Sequence, residues 1–211
     1  MIVWPGYETW NEKRFRVISS HVDLRGRICD LAAGHGYFSE ECHKLGAEVV
    51  SVEGNAKHVQ ELKNLANGRW QVQQLDLDSC FPAGSFDVIL CLGILYHVAY
   101  PQELLRQCCD SAGIVVIETA ILDSKSSDAI VSYADAEALG GTGYFPSPGW
   151  VEKNMNSFGF VSEMICEPTA LNDGAHYYSW TLGRSMRYEG RRALWVCRSQ
   201  DAQISLRTCG E

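Results

Sequence analysis

The 211-residue sequence contains no apolar run long enough to cross a bilayer, so a helical membrane span is not expected. Its opening, "MIVWPGYETW", lacks a charged region followed by an apolar one. No secretory signal is expected there, and a cytoplasmic protein is. Nine cysteines are present, yet no Cys-x-x-Cys pair occurs and no Cys/His spacing suits zinc. They read as reduced thiols in core or semi-buried positions, with no metal site and no disulfide framework. A surplus of basic residues is also missing: the formal net charge is −8, which weakens, without excluding, a nucleic-acid partner such as tRNA. The late arginines, Arg184, Arg187, Arg191 and Arg192, read as a solvated hairpin. Neither an internal repeat nor a low-complexity segment occurs, which leaves one domain over 1–211.

What is present is an alternation of two periods. "RICDL" (27–31) reads as a strand, and Phe38, Cys42 and Leu45 then recur at helical spacing up to a stop at Gly46. "AEVVSVE" (47–53) is a second strand. Asn55 caps a helix with a stripe of Val59, Leu62, Leu65 and Ala66. "WQVQQL" (70–75) alternates, whereas "FDVILCL" (86–92) is continuously apolar, as in a strand buried on both faces. Pro101 opens the next helix, "IVVIET" (114–119) is a fifth strand, and Ser147–Pro148 open a late helix. "FVSEMIC" and "RALWVCR" read as closing strands. This order predicts an α/β Rossmann-like three-layer sandwich: a mostly parallel seven-stranded sheet with a C-terminal antiparallel strand. Residues 1–23 are expected to form an N-terminal cap, 120–146 a lid-like insert with a short helix around Ser132–Leu139, and 199–211 a tail.

In such folds ligands bind beyond the carboxyl ends of the strands. The loop "DLAAGHGYFS" stands there, with Gly34 and Gly36 giving a tight turn. A dinucleotide loop would be GxGxxG, but the third glycine is Ser39. Glu53, ending the second strand, suits the ribose of any adenosine. Asp30 discriminates: a carboxylate at the entrance would repel a pyrophosphate and attract a cation. A nicotinamide oxidoreductase is therefore disfavoured, while a non-catalytic binding protein stays compatible with the loop.

"DLAAGHGYFS" resembles the first motif of the class I S-adenosylmethionine-dependent methyltransferases, commonly D-L-G-C-G-x-G, with Ala32 in the first glycine place. If Ala32 has negative φ the loop forms freely; positive φ would cost stability. The resemblance covers roughly 24–166. It implies S-adenosyl-L-methionine as cofactor and methyl transfer to a small-molecule acceptor. It further implies a cofactor set of Asp30, Ala32, Gly34 and Gly36, of Glu53 and Gly54 for the ribose, of Asp76 and Leu77 for the adenine, and of Cys91, Leu92 and Gly93 beside the methionine moiety. "GILYHVAYPQELL" is also similar to the loop of enzymes that carboxymethylate the tRNA wobble uridine. In those a tyrosine matching Tyr96 helps hold the cofactor's extra carboxylate. Lys13, with Trp10 nearby, aligns with a lysine of that subfamily that also reaches the cofactor.

A sulfonium methyl is already activated, so a protein base matters only if the acceptor must lose a proton. His97 is the candidate base, following the fourth strand with an imidazole suited to neutral pH. Tyr96 is the candidate acceptor or cofactor contact. Aromatics at Trp4, Tyr7, Trp10, Tyr144, Phe145, His176, Tyr177, Tyr178 and Trp180 are candidates for an acceptor platform.

Overall fold

The computed structural model describes residues 7–122, 124, 126–135, 138–165 and 192–200, with side chains from Asn11 onward. The elements run α1 (Tyr7–His21), β1 (Arg27–Leu31), α2 (Tyr37–Lys44), β2 (Glu48–Glu53), α3 (Ala56–Ala66), β3 (Gln71–Gln74), β4 (Phe86–Leu92), α4 (Pro101–Ser111), β5 (Ala112–Ala120), β6 (Ile130–Ala134), β7 (Thr142–Pro146), α5 (Pro148–Ser157), β8 (Phe160–Ile165) and β9 (Arg192–Ser199). A seven-stranded sheet has the order β3-β2-β1-β4-β5-β9-β8, and β6-β7 form a separate ladder. The pairs β1/β2, β1/β4, β2/β3 and β4/β5 are parallel, while β9 runs antiparallel to both β5 and β8. This is the expected sandwich with its antiparallel closing strand.

Local chemistry explains the helix ends. The Asn55 side chain accepts from the Lys57 N–H, and Ser147 caps α5 through the Trp150 N–H. Pro101 and Pro148 open α4 and α5, where a missing N–H costs nothing. Gly36 enters α2 at φ +81°, and a Cβ there would lie 2.6 Å from Leu62 Cδ2 of α3. Its role is thus helix packing as much as the turn.

Each strand residue alternates between two cores. Cys29, Val50, Ile89, Val115 and Trp195 face α4 and α5, where Leu104, Leu105, Val151 and Met155 meet them. Ile28, Val49, Leu90, Val116 and Val196 face the other side, where Ile18 of α1, Phe38 and Cys42 of α2 and Ala66 of α3 cover them. On this second face the apolar layer gives way to polar side chains toward the carboxyl ends of β1, β2 and β5. Two residues beyond Ile28, Val49 and Val116 stand Asp30, Ser51 and Glu118, all buried, and Arg192 lies two before Leu194 on antiparallel β9.

Two expectations are corrected. None of the described residues of Ser132–Leu139 is helical. Ser132–Ala134 belong to β6, paired with β7 from Ile130↔Pro146 to Ala134↔Thr142. The β-branched Ile130 and Val131, the Gly140–Gly141 turn and the stacked Tyr133 and Phe145 rings (4.3 Å, 7°) outweigh helix propensity. Arg192 is not part of a solvated hairpin but is 8% exposed. Arg184, Arg187 and Arg191, like Trp4 and His176–Trp180, lie outside the described residues. Of residues 1–23, Tyr7–His21 form the helix α1, whose Ile18 is fully buried in the second core.

Candidate active site

A cavity of about 960 Å³ opens where that second face turns polar. One wall is made by the ends of β1, β2 and β3. Asp30, 2% exposed, accepts from Ser39 Oγ at 2.6 Å. Ser51 Oγ donates to Ser39 Oγ (2.7 Å), and Trp70 Nε1 donates to Ser51 Oγ (2.9 Å). The serine in the third glycine place of the loop is therefore the support of the acid. Burial pushes the Asp30 carboxyl up to about 6, with the Ser39 hydrogen bonds opposing that rise, nearby Glu53 adding to it and Arg14 opposing it.

Glu53 ends β2 with both oxygens engaged by main chain: Oε2 accepts from Gly34 N at 3.0 Å and Oε1 from Asn55 N at 2.8 Å. Each oxygen keeps a further lone pair for a ribose hydroxyl. Asp76 follows β3, exposed, its Oδ1 accepting from Asp78 N at 3.0 Å. Ala32 has φ +53°, so the substituted position is the strained alternative of the two. Ala32, Ala33, Gly34, Gly54, Asp76 and Leu77 all line the cavity with Asp30 and Glu53. So do Leu92, Gly93, Tyr96 and His97.

The opposite wall is cationic. Glu118, fully buried, forms ion pairs with both Arg14 of α1 and Arg192 of β9, themselves 4% and 8% exposed. Arg192 also reaches the Tyr96 hydroxyl (3.2 and 3.3 Å) and lies over the Tyr96 ring, 4.9 Å from its centroid. Burial works against charge on Arg192, but Glu118 and Tyr96 outweigh it and hold the guanidinium above its ordinary range. Gly93, at φ +79°, lies tight against this cluster, since a Cβ there would sit 3.2 Å from Arg192 Nη2.

Two anticipated residues are not brought to the cavity. Cys91 lies in the core under α4 and α5, because its place in β4 puts it on the face opposite Asp30. Lys13 is half-buried on α1 and does not line the cavity, whereas Asn11 and Arg14 of the same helix do. Trp10 falls within α1, its side chain outside the described residues. His35 lines the rim and pairs with Glu61 at 2.9 Å. Burial pushes the thiols of Cys29, Cys42, Cys108, Cys109 and Cys197 upward, so none is a thiolate nucleophile at neutral pH.

Sequence reasoning missed Arg14, Glu118, Arg192 and Asp135. Asp135 follows β6, and its Oδ2 is in close contact with His97 Nδ1. A charge standing next to an apolar strand run, as in Glu118 after "IVVI" and Arg192 before "ALWVC", was the available signal. Ala138 and Leu139 of the insert also line the cavity.

The sheet order is that of a Rossmann-like sandwich with a glycine loop after β1, and residues 29–112 match the model of the family described as "Methyltransferase domain". The chain is 31% identical over 104 residues to a ubiquinone biosynthesis O-methyltransferase of Xanthomonas euvesicatoria pv. vesicatoria, covering 46% of this chain and 44% of that one. It is 28% identical over 154 residues to a tRNA U34 carboxymethyltransferase of Pseudomonas paraeruginosa, covering 68% of this chain and 48% of that one. The chain thus spans about half the length of these curated relatives. Among solved structures, the N-terminal domain of EvdMO1 with SAH bound superimposes with a TM-score of 0.71 at 18% identity, over 89% of this chain and 80% of that one. The DhpI–SAH complex does so at 0.60 and 15%, over 92% and 86%.

Proposed function

We propose that the protein transfers a methyl group from S-adenosyl-L-methionine to a small-molecule acceptor. One observation carries this reading: three carboxylates, Asp30, Glu53 and Asp76, line one wall of a single cavity around a glycine loop. That wall repels phosphates and suits a cationic adenosine derivative. Its chemistry fits the cofactor implied by the fold, which supplies an electrophilic methyl on sulfur. In this reading Glu53, with Gly54 beside it, accepts the ribose hydroxyls. Asp76 and the Leu77 N–H bind the adenine. Asp30 attracts the ammonium or sulfonium charge, Leu92 and Gly93 floor the methionine moiety, and His97 handles the acceptor's proton. The ubiquinone O-methyltransferases among the relatives support a small-molecule acceptor. The free thiols among the described residues support a cytoplasmic setting.

Calorimetry with S-adenosylmethionine, S-adenosylhomocysteine and NAD tests the cofactor. Binding of the first two and not of NAD is expected; NAD binding alone would overturn the reading. Release of S-adenosylhomocysteine with a metabolite panel separates an enzyme from a non-catalytic binder.

A second reading, carboxymethyl transfer, is favoured by the cationic wall. Arg192 and the Tyr96 hydroxyl form a site for a carboxylate on the donor, and a tRNA U34 carboxymethyltransferase is among the relatives. The net charge of −8 weighs against tRNA as the acceptor. Mass spectrometry of the ligand that copurifies decides between the donors.

A further inference from the structure

The insert between β5 and α5 is stitched to the loop after β4. Tyr144 N donates to the Tyr96 carbonyl at 3.0 Å, and the Tyr133 hydroxyl lies 3.2 Å from that same oxygen. Tyr133 Oη is also 3.2 Å from Asp135 Oδ2, and Asp135 N donates to Gly141 O at 3.3 Å. These contacts hold the Asp135 carboxylate, whose side chain is 8% exposed, against Nδ1 of His97, whose side chain is 20% exposed. The main chain of His97 is fixed in turn by its N–H to Ile94 O at 2.8 Å.

A carboxylate accepting from Nδ1–H sets the tautomer and leaves the lone pair on Nε2. His97 lines the cavity, so proton chemistry there falls to Nε2. Such an arrangement serves an acceptor whose attacking atom carries a proton that must leave. Thioethers, tertiary amines and carboxylates have none to lose; primary and secondary amines shed theirs readily after attack and thiols ionise close to neutral pH unaided, so a hydroxyl group gains most from a base.

We infer that Asp135 and His97 form a base dyad for a hydroxyl acceptor, a phenol or enol, with Asp135 as the positioning residue. This rests on the methyl-transfer reading above. The acceptor oxygen gives its proton to His97 Nε2 and forms its bond to the methyl carbon. The carbon–sulfur bond breaks and its electron pair stays on sulfur. The imidazolium that results is paired with Asp135, so the products are an ether, a neutral thioether and a balanced ion pair. Asp135 acts through His97, as an orienting carboxylate does in a hydrolase triad.

Nitrogen NMR of the donor-free full chain gives a readout independent of turnover. In the neutral imidazole of His97, Nδ1 should carry the proton, and Asp135→Ala should move a large share of it to Nε2. A wild-type ring protonated on Nε2 overturns the dyad, whatever the protein transfers. With S-adenosylmethionine, S-adenosylhomocysteine release should be sustained by members of a panel of phenols, catechols and enols. Release with carboxylates or tertiary amines but not with hydroxyl compounds overturns the acceptor class. On the best hydroxyl substrate, His97→Gln should lower kcat by about 10²–10⁴-fold and Asp135→Asn by about 10²-fold, with the KM for the donor nearly constant. The double variant should be no slower than His97→Gln alone. An Asp135→Asn enzyme at the wild-type rate overturns the positioning role. Failure of S-adenosylmethionine to bind wild type in calorimetry would instead strike the underlying reading, and the NMR result would stand apart from it.

Discussion

The two walls of the cavity hold their charges by opposite means. On the glycine-loop wall, Asp30, Glu53 and Asp76 lean on neutral donors: a serine hydroxyl and main-chain N–H groups. On the far wall, Arg14 and Arg192 both pair with Glu118, with Tyr96 attached. The first wall comes from residues close in sequence, each at the end of its own strand. The second joins positions 104 and 74 residues apart. Neutral support lets a carboxylate wait for a cation, at a cost to the empty protein. Mutual pairing makes the far wall part of the fold.

That contrast predicts effects of different sign. The largest is expected at Glu118. Glu118→Gln leaves two buried guanidiniums without their carboxylate and should destabilise the protein by about 3–5 kcal/mol in denaturant unfolding. An unchanged midpoint would break the view of the far wall as a balanced unit.

Asp30 should behave in the opposite way. Its folded carboxyl stands at about 6 against an ordinary 3.8, so between those values the native state binds the proton more tightly than the unfolded state. The stability this group provides is therefore present below about pH 4 and lost as pH rises through 6, on the order of 2–3 kcal/mol. Asp30→Asn should flatten that slope and stabilise the empty protein near pH 7.5. It should also weaken S-adenosylmethionine more than neutral adenosine. Equal losses for both ligands would reduce Asp30 to a brace of the loop.

Glu53→Ala should weaken adenosine-ligand binding by about 2 kcal/mol, roughly 30-fold in calorimetry. It should also lower stability, because Gly34 N and Asn55 N lose their acceptor. Undiminished affinity in a folded variant would remove Glu53 from the ribose. The smallest effect is expected at Ala32. Ala32→Gly relieves a φ of +53° but loosens the unfolded chain, for a net gain of about 0.5–1 kcal/mol in thermal or denaturant melts.

The same divide governs what the sequence made legible. From β1 through β5 each element follows from periodicity and caps, whereas the helix α1 was not anticipated; the carboxylate wall falls on strand ends that the pattern locates. Arg14, Glu118, Arg192 and Asp135 are joined by tertiary contacts that no local pattern encodes. Parity alone could have placed Cys91, since it pairs with Leu31 and shares that residue's face, away from Asp30. The insert was misjudged for a different reason. Its alanines and acids favour a helix, but two β-branched residues and a double-glycine turn let a hairpin form against the loop after β4.

The row Trp70–Ser51–Ser39–Asp30 has a direction. An indole nitrogen only donates, so Ser51 receives at that end; the ionised carboxylate only accepts, so Ser39 gives it its hydrogen and Ser51 in turn donates to Ser39. Reversing the row would leave the ionised carboxylate without its serine donor. The ionised Asp30 Oδ2 is thereby kept an acceptor, with its donor oriented from behind by Ser51. The hydroxyls of the row are thus oriented from both ends, by an indole that only donates and an ionised acid that only accepts, three elements apart in sequence.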